Sequence, residues 1–151
     1  MILLYIIINR IHIGLNMKDI NIENKDSIKL FDQFNHPILK VNKKYIYVIF
    51  MPYAYNPEDS FQRSIKIMSY LRSLGLTLFS PIIHFHQYHK ECQKINLKDE
   101  EDYYKWDLEI YAHFKKMIAV IPRKDWKLSN GINNELKWCR EHKIPWIFIV
   151  E

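Results

Sequence analysis

The segment SNGINNE, residues 129–135, sets a serine, a glycine and a glutamate in the pattern of a ligand-holding helix start. Ser129 can cap a helix. Gly131, one of only three glycines in the chain, removes a side chain where backbone amides would meet a ligand. Free amides and the helix dipole favour an anion there, such as a phosphate. Glu135 follows one turn in. Helical side chains lean toward the N-terminus, so its carboxylate is expected to reach a cleft, and the dipole to keep it ionised. An acid in a helix's first turns is also a commonplace surface feature. A capping box would set it three residues after the cap, whereas Glu135 is six after Ser129 and five after Asn130, so capping does not account for it.

Other residues are candidates for chemistry. Asp107, in DEEDYYKWDLE, is either a second working carboxylate or one charge in a solvated acidic helix start. Its neighbours Tyr103 and Trp106 read as core rather than as platforms for a stacked base. Tyr53 follows the first strong strand signal, where a sugar or base contact and an ordinary loop tyrosine are both open. Arg63 reads equally as a surface residue and as a phosphate partner. The run HFHQYHKEC offers His84, His86, His89 and Cys92, a combination that invites zinc. Its spacing matches no structural or catalytic zinc pattern, so no metal is assigned.

Those residues need a frame. YIYVIF (Tyr45–Phe50) is the β-branched and aromatic run of a strand buried on both faces. Asn56-Pro57 with Glu58 and Asp59 starts a helix whose apolar positions Phe61, Ile65, Met68 and Leu71 or Leu74 lead to a stop at Gly75. LTLFSP (Leu76–Pro81) is a second strand, followed by a histidine-rich loop. A long helix is expected over Asp99–Lys116, a third strand over Met117–Pro122, a helix over Ser129–His142 and a fourth strand over Trp146–Val150. Residues 17–44 read as a polar leader wrapped on the domain, with a short helix over Ser27–Phe34. The domain proper is then 45–151, and 1–44 an N-terminal extension.

Four alternations of strand and helix imply an α/β fold. The expected form is a doubly wound, flavodoxin- or Rossmann-like parallel sheet of about four strands in the order 2-1-3-4, with helices on both faces. Ligands in such sheets bind outside the carboxyl ends of the strands. That selects Met51–Tyr55, Ser80–His89, Pro122–Lys127 and Ser129–Glu135 as site walls, with Glu135 and Asp107 facing one cleft.

Composition narrows the classes. A chain of 151 residues, 48% hydrophobic and 15% aromatic, is long and apolar enough for one globular domain. The formal net charge is +5, but the lysines are scattered. Heavy use of lysine, isoleucine and asparagine matches the codon bias of an AT-rich genome, so no specific nucleic-acid partner is expected. Two cysteines make no disulfide framework and suit a reducing, cytoplasmic setting. MILLYIII is too short to span a bilayer and lacks the flanks of a signal peptide, so no membrane is expected. Residues 1–16 read as a short extra strand or as an extension before a start at Met17.

Four pieces, taken in order, resemble the nucleoside 2-deoxyribosyltransferase-like superfamily, nearest to a small phage and bacterial group, the DUF1937-type domains. YVIFMPYAY is similar to its first strand and Y-L-A-x-P-Y turn. LTLFSPIIH is similar to F-S-P-I-x-H. YYKWDLEIY is similar to the W-x-x-D helix segment, although Trp106 and Asp107 are adjacent here. SNGINNELKWCREHKIP is similar to S-x-G-x-x-x-E followed by a helix and a K-x-P turn. The match spans about residues 45–151.

The resemblance implies cleavage or transfer at the N-glycosidic bond of a nucleoside or nucleoside 5′-monophosphate. Glu135 would attack or stabilise the anomeric carbon, and Asp107 would bind a sugar hydroxyl or handle the proton of the base. Tyr53, Ser80, His84, Ser129, Gly131 and Asn134 would contact substrate. No cofactor is implied, and a homo-oligomer is. A nucleotide sensor without turnover and a defence-type glycohydrolase of nicotinamide dinucleotides are the alternatives.

Overall fold

In a computed structural model of the chain, the described residues are 20–21, 28–94, 100–124 and 126–151. They form an α/β fold around a mixed, mostly parallel sheet of five strands. The elements, in chain order, are β1 (Ile20–Asn21), β2 (Lys29–Asp32), β3 (Lys40–Val41), β4 (Ile46–Ile49), α1 (Pro57–Ser73), β5 (Thr77–Phe79), α2 (Pro81–Lys94), α3 (Glu100–Ala112), β6 (Met117–Pro122), a 3-10 turn (Trp126–Leu128), α4 (Asn130–Glu141) and β7 (Trp146–Val150). The main sheet runs β2-β7-β6-β4-β5. β7, β6, β4 and β5 are mutually parallel, and their order is the expected 2-1-3-4.

Side-chain alternation divides the core. Tyr47, Ile49, Met51, Ile118, Val120, Ile147 and Ile149 point to one face, where Ile67 and Leu71 of α1 and Ile82 of α2 cover them. Val48, Phe50, Met117, Ala119 and Ile121 point to the other, against Tyr111 of α3 and Ile132, Leu136 and Cys139 of α4. β6 is buried along its whole length, as a central strand covered on both faces requires.

The helix boundaries follow local chemistry. Asn56 Oδ1 accepts a hydrogen bond from Asp59 N, with Pro57 at the first helical position of α1. α1 stops at Gly75, whose φ of 76° lies in the left-handed region that glycine enters freely.

Three expectations change. The stretch read as a helix over Ser27–Phe34 holds β2 instead, with Ser27 outside the described residues. β2 pairs antiparallel with β7, from Lys29 opposite Val150 to Asp32 opposite Ile147, so the sheet gains a fifth strand. Ile28, Leu30 and Val41 belong to the core, so this part of the extension is built into the sheet. The histidine-rich loop is α2, begun by Pro81. The long third helix is shorter: α3 ends at Ala112, and Lys115 and Lys116 lie in the turn before β6.

Candidate active site

A cavity of about 380 Å³ opens at the carboxyl ends of β4 and β5, beside the start of α4. That is where the strand order reverses, since β5 and β6 flank β4. Met51, Tyr53, Ala54 and Tyr55 wall it after β4. Pro81, Ile82, Phe85, His86 and His89 come from α2, Asp107 from α3, and Ser129–Ile132 with Glu135 from α4. Three of the four expected walls therefore meet.

The fourth expected wall, Pro122–Lys127, goes elsewhere. Arg123, Trp126 and Lys127 line a separate hollow of about 420 Å³ with Leu128 and Phe148. Among the described residues no carboxylate lines that hollow. Its guanidinium, on Arg123, already stacks over Phe31 at 4.8 Å and Phe148 at 5.7 Å.

At the head of α4, Ser129 adopts extended backbone angles and its Oγ accepts a hydrogen bond from Ile132 N at 3.3 Å. Asn133 N donates to Ser129 O. Among the described residues nothing accepts from the amides of Asn130 and Gly131, two residues of the cavity wall. A Cβ built on Gly131 would meet only Ser129 Oγ, at an ordinary 3.7 Å. Packing within the protein does not demand this glycine, which lines the cavity.

Glu135 lines the same cavity yet is only 8% exposed. Tyr111 Oη donates to its Oε1 at 3.1 Å. The expectation that the helix dipole keeps Glu135 ionised is overturned by burial, which outweighs it. Desolvation, with the nearby charge of Asp107 adding to it, pushes the carboxyl up to about 8, and the Tyr111 hydrogen bond offsets part of this. Burial pushes Asp107 up to about 7. Its Oδ1 is buried with no hydrogen-bond partner among the described residues. Two coupled carboxyls thus share one cavity and titrate as a pair that retains a proton near neutral pH. The phenol sits in the same field: burial first, then Glu135 and Asp107, hold the Tyr111 hydroxyl protonated.

No family model, curated protein or solved structure matches the chain.

Of the residues expected at the site, Glu135, Asp107, Tyr53, Ser129 and Gly131 come together. Ser80 is buried outside the cavity and caps α2, its Oγ accepting from Ile83 N at 3.4 Å. His84 is exposed, against Phe79 and Phe85. Asn134 lies on the exposed side of α4. Arg63 lies outside the cavity as well: its guanidinium is engaged by the Glu151 carboxylate.

His86 and His89, which had no expected task, take the place foreseen for His84. On a helix Ile82, Phe85, His86 and His89 fall at i, i+3, i+4 and i+7, one face, and His84 points away. Tyr111 was missed too, although its position one turn after Asp107 on α3 was the available signal. Trp106, expected in the core, is partly exposed against Phe85 and Tyr88. The side chains of Tyr103 and Cys92 lie outside the described residues. Among the described residues no group of three or more His, Cys, Asp or Glu is arranged to hold a metal ion, and no helix is long and apolar enough to cross a membrane.

Proposed function

We propose that the protein cleaves, or transfers at, the N-glycosidic bond of a nucleoside or nucleoside 5′-monophosphate. The observation that carries this reading is the pair Glu135 and Asp107, one buried and one half-buried carboxyl lining one cavity beside the head of α4. Departure of a base leaves positive charge on the anomeric carbon, and a carboxylate beside it stabilises or captures that cation. A unit charge pair at about 4 Å contributes on the order of 4 kcal/mol at an effective dielectric of 20, close to three decades in rate. The departing base needs a proton, and the pair holds one. In the form of the pair whose proton sits on Asp107, Glu135 acts as nucleophile or electrostatic stabiliser and Asp107 as the acid that protonates the base. The amides of Asn130 and Gly131, with the Ser129 cap, hold the 5′-phosphate. A cavity of about 380 Å³ is within the range of small-molecule sites.

The strand order and the helices on both faces support the finer reading of a doubly wound, flavodoxin-like domain. A homo-oligomer, with a neighbouring copy completing the site, belongs to the same reading.

The test is release of free base from a panel of ribo- and deoxyribonucleotides and their unphosphorylated nucleosides, followed by chromatography. Monophosphates should react faster than bare nucleosides, and Glu135→Gln should depress turnover by about two to three decades with ground-state binding nearly unchanged. A Glu135→Gln protein as active as wild type on every substrate sinks the proposal. One observation favours a second reading. A carboxyl held near 8 is a weak nucleophile at neutral pH, which suits a nucleotide sensor. Tight nucleotide binding with no base release by wild type at any pH would establish that reading instead.

A further inference from the structure

The wall of the cavity formed by α1 and α2 carries a second polar assembly, apart from the two acids. Tyr53 Oη and His86 Nδ1 are 2.8 Å apart, and His86 Nε2 lies 3.3 Å from Glu58 Oε2. Lys90 Nζ donates to the same Glu58 oxygen at 2.9 Å, and Gln62 Nε2 donates to Oε1 at 3.2 Å. The His86 ring is 3% exposed and stacks on Phe61 at 4.3 Å, nearly parallel. His89 stands edge-on to Tyr53 at 5.3 Å. Both histidines and Tyr53 line the cavity, whereas Glu58 stands outside it.

We propose that the Tyr53–His86–Glu58 chain fixes Tyr53 as a hydrogen-bond acceptor on the cavity wall, and that this acceptor selects ligands offering an N–H or O–H there. In a nucleotide the group is an exocyclic amine of the base or a hydroxyl of the sugar. The polarity follows from which atoms are able to donate. Glu58, held ionised by Lys90 and Gln62 with its carboxyl lowered to about 2, only accepts. His86 Nε2 must therefore carry the hydrogen. In a neutral ring Nδ1 is then an acceptor, so Tyr53 donates its own hydrogen to it. Burial, then the Glu58 charge, raises the Tyr53 phenol and keeps that hydrogen in place. The hydroxyl hydrogen is spent on His86, and only oxygen lone pairs face the cavity. A ligand with a carbonyl or ring nitrogen at that point meets acceptor against acceptor. A ligand with a donor completes the chain.

The ligand class rests on the nucleotide reading above, whereas the polarity of Tyr53 does not. His86 is accordingly a positioning residue, acting through Tyr53. Two measurements test the inference, and neither uses base release, so absence of turnover leaves it standing. The first is nitrogen NMR of histidine-labelled protein without ligand at neutral pH. His86 should show the Nε2–H tautomer, and an Nδ1–H tautomer or a doubly protonated ring overturns the proposal. The second is calorimetry with two nucleotide pairs: adenosine 5′-monophosphate against the purine nucleotide lacking the amine, and ribo- against 2′-deoxyribonucleotide. One pair should differ by about tenfold or more, which also distinguishes base from sugar as the source of the donor. The difference should vanish in Tyr53→Phe. It should survive in His86→Asn, whose amide oxygen still accepts near the Nδ1 position, and vanish in His86→Leu. Equal binding within both pairs by wild type, or a difference that persists in Tyr53→Phe, overturns the proposal. Equal loss in His86→Asn and His86→Leu would make His86 a packing residue only and overturn its positioning role.

Discussion

Tyr111 Oη lies 3.1 Å from Glu135 Oε1, so a fully buried phenol on α3 holds the orientation of a buried carboxyl on α4. Asp107 precedes Tyr111 by one helical turn, which aims both at the same neighbour across the interhelix contact. α3 thus supplies two of these three ionisable groups, and α4 supplies the third.

Tyr111→Phe keeps the ring and its packing and deletes the donor. The acceptor it leaves behind is buried, so the loss is expected to be about 1–3 kcal/mol of stability, read from urea unfolding. That hydrogen bond lowers the Glu135 carboxyl. Carbon NMR should therefore show Glu135 titrating at higher pH in the variant. An unchanged titration would mean the contact does not form.

Stability should fall as pH rises across neutrality. Glu135 and Asp107 are held up, to about 8 and about 7, from ordinary values of 4.5 and 3.8. The folded state therefore binds more protons than the unfolded one between about pH 4 and about pH 8. Their contribution is fully present below the unfolded values and is lost as pH climbs through the folded ones. Denaturant midpoints at about pH 5 and about pH 9 check this. Glu135→Gln should flatten the dependence and raise stability at the alkaline end by on the order of a few kcal/mol. A wild-type midpoint that rises with pH would contradict it.

Gly131→Ala separates fold from binding. The added methyl meets only Ser129 Oγ at 3.7 Å, and alanine is the better helix former, so stability should hold or increase by about 0.5–1 kcal/mol. Phosphate-dependent binding should nonetheless weaken, because the methyl stands where the orphan amides face the cavity. Ser129→Ala should lose about 1 kcal/mol of stability with the cap and weaken the same binding modestly. Melting curves and phosphate calorimetry on the two variants read both effects. Undiminished phosphate binding by Gly131→Ala would remove the anion role.

Leu30→Ala tests whether β2 is structural. Leu30 is buried opposite Ile149, so truncation should cost about 2–5 kcal/mol, measured by urea unfolding. A surface leader would lose almost nothing.

The parallel strands were legible because each is a short apolar run bounded by turn residues. Met117–Pro122 and Trp146–Val150 were read to the residue. β2 was not, since KLFD carries too few residues to tell period 2 from period 3.6, and its partner lies far along the chain. α2 was hidden by composition: two aromatic residues and three histidines suggested a loop, although Pro81 was a valid helix start. Losing that helix lost its phase, and with it the choice between His84 and His86. Glu135 and Asp107 were found through residue type and position. Their protonation was not, because desolvation depends on what covers a carboxyl, and the covering residues come from other elements of the fold.

β2 also changes what the sheet presents to other molecules. Laid along β7, it pairs with IFIV (Ile147–Val150), four uncharged residues of high strand propensity. A chain shortened past Asp32 would leave that ribbon as a bare template for pairing with its own kind. Such a truncation should yield intermolecular aggregates rather than a smaller monomeric domain, and the opposite edge, three-residue β5, offers far less length for the same mishap.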